Sequence, residues 1–240
     1  MQARITYLDN SGFAVKTRQH FLIFDCWNMQ PEQGKTGLDG GTIDPAEIAG
    51  ENVFVFVSHG HGDHYNSGIF KWSRQIENIH YILSDDIRGT KEALYTRPDE
   101  RYDLMDIHIR TLRSTDEGVA FLIQTDGLTV YHAGDLNWWH WEGEDPDWNI
   151  QMGEDYRLEV GKLAKEKIDI AFIPVDPRLK ADMLRGIEYF MDITDVKMVI
   201  PMHYGGDANM AEQALKDAHI RHNERIIAPM KRGQTIVFKG

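Results

Sequence analysis

A short apolar run that ends in a cluster of histidines constrains the fold more than any other stretch of this sequence. Residues 53–57 are β-branched or aromatic with no polar alternation, which is typical of a strand buried on both faces of a sheet. The hexapeptide that begins after Ser58 then supplies four possible metal ligands, namely His59, His61, Asp63 and His64. A helix would scatter these side chains around its circumference, whereas a turn at the carboxyl end of a strand can bring them together.

The chemistry of the hexapeptide favours a site for two metal ions. Two imidazoles at i and i+2, His59 and His61, can face one ion, while Asp63 and His64 turn toward a second. Glycines between the ligands allow backbone angles that are closed to other residues and leave room for a ligand. Mixed imidazole and carboxylate ligands suit zinc, iron or manganese, and zinc is the commonest of these. The alternative is a polar loop with surface histidines, which the preceding strand makes the weaker interpretation.

Three motifs together resemble those of the metallo-β-lactamase superfamily. The hexapeptide matches the His-x-His-x-Asp-His signature of that superfamily. Gly134-Asp135, after the strand-like run 128–133, and Pro-Met-His-Tyr at 201–204 resemble its later metal-binding motifs. Residues 5–13, with Phe24-Asp25 closing a second strand, further resemble the branch that includes the ascorbate-6-phosphate lactonases. The resemblance extends from about residue 3 to the end of the sequence. It implies an α/β protein, a four-layer αβ/βα sandwich formed by a single domain over residues 1–240, with metals at the open edge.

The resemblance also implies a ligand set. One metal would be held by His59 and His61 and another by Asp63, His64 and His203, with Asp135 bridging the two ions. In this superfamily a further histidine usually completes the first site shortly before the bridging aspartate, but residues 114–118 read Ser-Thr-Asp-Glu-Gly. The nearest histidine, His108, lies within a strand-like stretch.

Two interpretations of the missing histidine remain open. Asp116 supplies an oxygen ligand instead, which shifts the preference of the first site toward manganese or iron. Alternatively, Asp116 is a turn residue that bonds its own backbone, the first site is weak, and only the second is reliably filled. We therefore expect two divalent metal ions, with zinc as the default and manganese or iron as the alternatives.

Other polar residues near predicted strand ends are expected to support the ligands. Asp25 and Asp176 either accept hydrogen bonds from histidine ligands or act in turns and caps. His132, on the opposite face of its strand from Ala133, is expected to be packed rather than ligating. Cys26 is expected to be a buried apolar residue.

A tryptophan-rich segment follows the predicted bridging ligand. Residues 137–148 carry four of the six tryptophans of the chain. Aromatic side chains supply a large contact area with few degrees of freedom to lose, so the segment could form an apolar wall over a substrate. It could equally form a contact in a homo-oligomer or a satellite core. The sequence leaves both interpretations open.

Strand and helix patterns alternate in two loosely similar halves. The first begins with strand-like hairpins, and the second contains strands between residues 107 and 131 with a strong Asp126-Gly127 hairpin signal. Helical spacing of apolar residues occurs at 69–76, 156–163, 184–191 and 210–215. A further helix is predicted over residues 84–94, with Ile87, Lys91 and Leu94 along one side. Two strand-rich halves, each followed by helices, predict two sheets packed face to face with helices outside.

Composition narrows the function and the compartment. With 240 residues, 42% of them hydrophobic, the chain can fill a sizeable core. A net charge of −12 opposes binding to nucleic acid or to an anionic membrane surface. The single cysteine excludes an intrachain disulfide. The first residues read as a strand rather than a signal peptide, and no apolar run of about eighteen residues is present, so we expect a cytoplasmic protein with no membrane span.

The predicted function is that of a metal-dependent hydrolase acting on a small-molecule substrate. A metal-bound hydroxide would be the nucleophile, and Asp63 would orient it while ligating the second metal. No Gly-x-Ser-x-Gly motif is present and Cys26 has no clear partner, so covalent catalysis is disfavoured. The resemblance to lactonases favours a small lactone or ester, by analogy. The alternatives are a phosphodiesterase, a metal-binding or sensing protein with an impaired first site, and a di-iron redox protein.

Overall fold

The computed structural model describes residues 1–89 and 91–240, and strands in these ranges form two β-sheets. The first sheet contains β1 (Gln2–Asp9), β2 (Gly12–Lys16), β3 (His20–Phe24), β4 (Asn52–Val57), β5 (Ile79–Ser84), β6 (Ala93–Thr96) and β13 (Thr235–Lys239). The second contains β7 (Arg101–Leu104), β8 (Ile107–Arg113), β9 (Val119–Thr125), β10 (Leu128–His132), β11 (Lys167–Pro174) and β12 (Asp195–Met202). The strand orders are β13-β1-β2-β3-β4-β5-β6 and β12-β11-β10-β9-β8-β7.

Each sheet has a parallel part and an antiparallel part. Strands β3, β4, β5 and β6 run parallel to one another, as do β10, β11 and β12, whereas the remaining neighbours are antiparallel. Parallel strands end at the same edge of their sheet, so loops that follow them meet there. This topology positions the candidate site.

The central strand β4 is buried on both faces, as its composition predicts. Phe54 and Phe56 belong to the core that includes the space between the sheets, whereas Val53, Val55 and Val57 belong to a second apolar cluster on the other face. Burial on both sides explains why the strand carries no polar alternation.

Aromatic side chains fill the space between the two sheets. Phe13 of the first sheet packs against Phe172 of the second with ring centroids 4.2 Å apart. Phe56 meets Phe121 edge-on at 5.4 Å. Such pairs stabilise the packing beyond the apolar area that they bury.

Helical segments cover the outer faces. The α-helices are α1 (Pro146–Gly161), α2 (Arg185–Ile193) and α3 (Ala208–Asp217). Phe190 of α2 stacks on Tyr131 of β10 at 5.6 Å, and Tyr156 of α1 donates a hydrogen bond to the carbonyl oxygen of Gly186. On the first sheet the cover is a 3₁₀ segment, Ser67–Arg74, which buries Ile69 and Trp72. The predicted layering of two facing sheets with helices outside is confirmed.

The structure corrects two helix predictions. The helix predicted over residues 69–76 is a 3₁₀ helix and lies two residues earlier, at Ser67–Arg74. The helix expected over residues 84–94 is wrong: Asp85 and Asp86 lie in a turn, and Ala93–Thr96 is strand β6, while residue 90 lies outside the described residues. Leu94 pairs in register with Ile82 of β5. Its apolar side chain therefore belongs to an edge strand of the first sheet and not to the face of a helix. Among the described helices, none is long and apolar enough to cross a membrane.

Candidate metal centre

The candidate ligands come together at the carboxyl ends of parallel strands from both sheets. The hexapeptide 59–64 follows β4, Asp135 follows β10 and His203 follows β12. Gly134 allows the strands to approach, because its φ is +53° and a Cβ atom there would lie 2.7 Å from the Cβ of Ser58. His203 itself adopts a φ of +62°. A non-glycine residue in this conformation is strained, which often marks a functional position.

A buried group of three candidate ligands forms the centre of the site. His59, His64 and Asp135 offer ligand atoms that all lie within 4.8 Å of one another. Nε2 of His64 is 3.2 Å from Oδ1 of Asp135, and Nε2 of His59 is 3.6 Å from Oδ2. All three residues are buried.

Two atoms of this group lack hydrogen-bond partners. Nε2 of His64 and Oδ1 of Asp135 are buried and make no hydrogen bond to the described residues. A buried polar atom without a partner is costly, and a cation between imidazole and carboxylate satisfies both atoms. The residues present therefore fit a divalent metal ion.

A second group extends the centre toward the open edge. Asp63, His64 and His203 again place ligand atoms within 4.8 Å of one another. Oδ2 of Asp63 lies 3.7 Å from Nε2 of His64 and 3.8 Å from Nε2 of His203. Nε2 of His203 is also 3.4 Å from Oδ1 of Asp135. His64 thus belongs to both groups, and Asp135, a member of the first group, lies next to the second.

A third group includes the residue predicted in place of the missing histidine. His61, Asp116 and Asp135 place ligand atoms within 4.8 Å of one another. Nδ1 of His61 is 4.0 Å from Oδ2 of Asp116, and both side chains are nearly half exposed. The backbone N–H of Asp116 donates to Oγ of Ser114, and the carboxylate lies in the ligand group with His61 and Asp135. His108, by contrast, lies on β8 and pairs with exposed Asp103.

Glu117 is a neighbour of the site that the sequence did not single out. Its Oε2 atom lies 3.5 Å from Nε2 of His61. In the Ser-Thr-Asp-Glu-Gly turn either acidic residue could face the cluster. The position of Glu117 directly after Asp116 was therefore the sequence feature that could have indicated it. The nearby turn is tight: Gly118 has a φ of +69°, and a Cβ atom there would lie 2.0 Å from the carbonyl oxygen of Ser58.

Two buried carboxylates orient histidines of the candidate ligand set. Oδ2 of Asp25 lies 2.8 Å from Nδ1 of His64, and Oδ2 of Asp176 lies 3.2 Å from Nδ1 of His203. A carboxylate at Nδ1 fixes the ring so that Nε2 faces the metal. Asp25 also accepts hydrogen bonds from the backbone N–H and hydroxyl of Ser58, at 2.8 and 2.7 Å. Asp176 was predicted either to bond a histidine or to act as a cap, and it does both, because it also caps the 3₁₀ helix Pro177–Asp182.

Burial and charge shift the pKa values in opposite directions. Burial raises the pKa of Asp135, but the neighbouring His64 and His203 outweigh it and hold that pKa well below its usual range. Burial lowers the pKa of His64, yet Asp135 and Asp25 outweigh it and raise that pKa well above its usual value. The charge on Asp135 suits a metal ligand, whereas His64 would have to release its extra proton when a metal binds.

His132 and Cys26 are packed residues, as expected. His132 lies parallel to Phe24 with centroids 4.9 Å apart, and its Nε2 is 2.8 Å from the carbonyl oxygen of Ser11. Cys26 is buried, and burial raises the pKa of its thiol to about 12. A thiol held in this form is a poor nucleophile.

Two cavities adjoin the cluster. A cavity of about 650 Å³ is lined by Asp63 and His203, and one of about 290 Å³ by Asp116 and Asp135. Arg178 lines both. The first volume lies in the range of small-molecule sites.

The tryptophan-rich segment divides between the two predicted roles. Trp139 donates from Nε1 to the carbonyl oxygen of Asp135 and stacks on Trp141, and both rings line the smaller cavity together with Trp148. Trp138 instead packs against Tyr156 in the core around α1. Part of the segment is therefore a wall of the cavity and part is core.

Two facing sheets with these ligand motifs at their common edge define the metallo-β-lactamase fold, and solved structures agree. The chain is similar to Igni18, a metallo hydrolase from Ignicoccus hospitalis, with 18% identity, full coverage of both chains and a TM-score of 0.66. It is also similar to the metallo-β-lactamase fold protein YhfI from Bacillus subtilis, with 12% identity, 98% and 99% coverage and a TM-score of 0.59. The predicted fold is confirmed.

Sequence relatives point the same way. A UPF0173 metal-dependent hydrolase from Korarchaeum cryptofilum is 26% identical over 213 residues, which are 84% of this chain and 82% of the relative. No family model matches the chain. The predicted relationship to metal-dependent hydrolases is confirmed, whereas the ascorbate-6-phosphate lactonase branch stays a prediction.

Proposed function

We propose that this protein is a metal-dependent hydrolase with a dinuclear site that acts on a small lactone or ester. The observation that carries the proposal is the buried pair of unpartnered ligand atoms, Nε2 of His64 and Oδ1 of Asp135, at the point where the ligand groups meet. The names of its sequence relatives as metal-dependent hydrolases support the same class of activity. The 650 Å³ cavity beside these atoms supports a small-molecule substrate.

The proposed ligand sets follow the three groups. His59, His61 and Asp116 would hold the first ion, Asp63, His64 and His203 would hold the second, and Asp135 would serve as a ligand to both. When bound, divalent ions lower the pKa of coordinated water toward 7 and polarise the bond to be hydrolysed. Zinc is the default ion, and the carboxylate of Asp116 admits manganese or iron at the first site.

The proposed catalytic role of Asp63 is to hold and orient the attacking water. Its Oδ2 atom accepts a hydrogen bond from Nδ2 of Asn10 at 3.0 Å, which fixes the carboxylate at the mouth of the larger cavity. Asp25 and Asp176 hold the rings of His64 and His203. Wall residues Trp139 and Trp141 limit the access of bulk water from the side of the smaller cavity.

A second candidate function is a metal-binding or sensing protein that reliably fills one site. It is favoured by the exposure of His61 and Asp116, which are 44% and 45% exposed, and by the 4.0 Å between their nearest ligand atoms. An exposed oxygen-containing site binds its ion less tightly than the buried group around His64.

Metal analysis combined with a substrate panel separates the two candidates. Untagged protein is analysed for metal content, then loaded in turn with zinc, manganese and iron(II), and assayed on an ester, a lactone and a phosphodiester. We expect two equivalents of metal and hydrolysis of the ester or lactone, both reduced in Asp135→Asn. Preference for the phosphodiester would shift the proposal to a phosphodiesterase. One equivalent of metal with no hydrolysis of any substrate would favour the sensing function.

A further inference from the structure

Arg178 lies where the two cavities beside the metal centre meet. Among the lysines and arginines that the structure describes, it is the one that lines either cavity, and it lines both. The residue follows β11 in the turn that begins at Asp176. A cation placed between two cavities can contact a substrate in either of them.

The guanidinium is held in a fixed orientation. Nε of Arg178 lies 3.0 and 2.9 Å from the two carboxylate oxygens of Asp176, and Nη2 lies 2.5 Å from Oδ2. The guanidinium also lies over the ring of Trp141, whose centroid is 5.7 Å from Cζ of Arg178. A guanidinium fixed in this way loses little rotamer freedom when it binds a ligand.

One edge of the guanidinium remains available. The contacts with Asp176 use Nε and Nη2, and within the described part of the chain Nη1 makes no hydrogen bond. The side chain is 65% exposed, whereas that of Asp176 is 2% exposed. The free edge is therefore accessible from solvent, on a residue that lines both cavities.

The acidic residues of the larger cavity are already engaged and do not compete for this edge. Besides Asp176, three carboxylates line the cavity, those of Asp9, Asp63 and Asp207. The hydrogen-bond donors are Asn28 and the backbone N–H of Asn10 for Asp9, the side chain of Asn10 for Asp63, and the backbone N–H of Met210 for Asp207. Among the lysines and arginines that the structure describes, Arg178 is therefore the one in the lining that keeps an unused hydrogen-bond donor.

We propose that Arg178 determines substrate specificity by binding an anionic oxygen group, a carboxylate or a phosphate, that the substrate carries near the hydrolysed bond. This inference rests on the proposed hydrolase function and adds the class of substrate to it. Arginine suits the role because its planar fork matches the oxygens of such groups. Asp176, which touches both Arg178 and His203, fixes the distance between the anion and the metal centre.

A pair of esters with the same leaving group tests the proposal. One is para-nitrophenyl butyrate, which is neutral, and the other is the mono-para-nitrophenyl ester of glutaric acid, which carries a carboxylate. We expect Arg178→Gln to lower kcat/KM for the glutarate ester at least about tenfold more than for the butyrate ester, mainly through KM. Arg178→Lys should fall between, because lysine keeps the charge but not the fork.

The matched control is Lys180→Gln. Lys180 is an exposed cation two residues away that pairs with Glu142 and does not line either cavity. It should leave the ratio of the two kcat/KM values unchanged. Metal content is measured in every variant and rates are compared at equal loading. An equal loss on both esters in Arg178→Gln would overturn the inference, since that result indicates a general role in the reaction.

Calorimetry with unreactive anions separates this inference from the proposed function. Glutarate and inorganic phosphate are titrated into metal-loaded wild type and Arg178→Gln, and the tighter of the two identifies the source of the anionic group. If the wild type hydrolyses neither of these esters nor any substrate of the ester, lactone and phosphodiester panel, but binds one anion at least about tenfold more tightly than the variant, the hydrolase proposal fails and the anion site stands. Equal affinities of the two proteins for both anions would overturn the anion site.

Discussion

His61 is a candidate ligand whose removal should disturb the fold little. Its side chain is 44% exposed, so it contributes little to packing, while its Nδ1 lies 3.0 Å from Nε2 of His59 at the first site. We expect His61→Ala to remove the first ion and most activity and to change the stability of the metal-free protein by less than about 0.5 kcal/mol. Elemental analysis and thermal unfolding in a chelator measure the two effects.

The control for that variant is His108→Ala. His108 is 64% exposed and lies on β8, paired with Asp103 away from the site. Its loss should leave metal content and activity unchanged. If His61→Ala kept the wild-type metal stoichiometry, His61 would be excluded as a ligand.

Asp116 should determine which metal the first site prefers. Asp116→Ala is expected to lose one ion selectively, and Asp116→His to shift the preference from manganese toward zinc, because imidazole suits the softer ion. Calorimetric titration with each metal measures both changes. Glu117→Gln is the informative comparison, since Glu117 also lies near His61. Two sites of unaltered affinity in Asp116→Ala, with one lost in Glu117→Gln, would transfer the ligand role to Glu117.

Sequence alone could predict the central residues of the site but not its outer ones. The hexapeptide after β4 carries its own signature, and strand ends place Asp135 and His203 beside it. The turn 114–118 offers two adjacent carboxylates, and only the folded chain shows that both approach His61. Arg178 is further from prediction, because its position depends on the pairing with Asp176 and the stacking on Trp141.

At the scale of elements, strands with a strong sequence pattern were predicted correctly, whereas short strands with a weak pattern were not. Burial on both faces marks β4 unmistakably, and the Asp-Gly turn marks the β9–β10 hairpin, which the structure confirms. Strands β6 and β7 are four residues each, too short for a period to be recognised. The spacing of Ile87 and Leu94 resembles a helix, but pairing with β5 determines the outcome for Leu94.

The turn of the β9–β10 hairpin joins the two sheets at the end of the molecule opposite the metal centre. Asp126 accepts hydrogen bonds from the hydroxyl of Thr17 at 2.6 Å and from the backbone N–H of Gln19 at 2.8 Å. Its side chain is 2% exposed. Burial raises the pKa of Asp126, but these hydrogen bonds outweigh it and lower the pKa to about 2.

This carboxylate should make stability depend on acid pH. Because the folded-state pKa lies below the unfolded value, the stabilisation is present above pH ~4 and is lost as the pH falls toward 2. It is worth on the order of 2 kcal/mol. We expect Asp126→Asn to be less stable than wild type at pH 6 and the difference to shrink below pH ~4, as measured by denaturant unfolding of chelated protein. Asp103→Asn, at an exposed site, is the control. A difference independent of pH would show that hydrogen bonding, not ionisation, is responsible.

At the scale of the whole molecule, the apolar clusters and the metal centre are separable contributions to stability. The two clusters lie between and outside the sheets, whereas the candidate ligands sit in loops at one edge. Unlike a small zinc-dependent domain, a chain of 240 residues buries enough apolar surface to fold without metal. The metals should therefore stabilise a protein that is already folded.

Chelation tests that separation. We expect the metal-free protein to keep the far-ultraviolet circular dichroism of the loaded protein and a cooperative unfolding transition, with a lower Tm. Thermodynamic linkage determines how much the metals stabilise the protein. At a free metal concentration of about a thousand times Kd, each ion adds about 4 kcal/mol to the free energy of unfolding. Asp135→Asn, which weakens the bridge between the ions, should lose most of this metal-dependent increase in Tm. Loss of cooperative unfolding on chelation would mean instead that the loops at the metal edge, with Asp25 and His203 in their strained conformations, require the ions to hold the two sheets together.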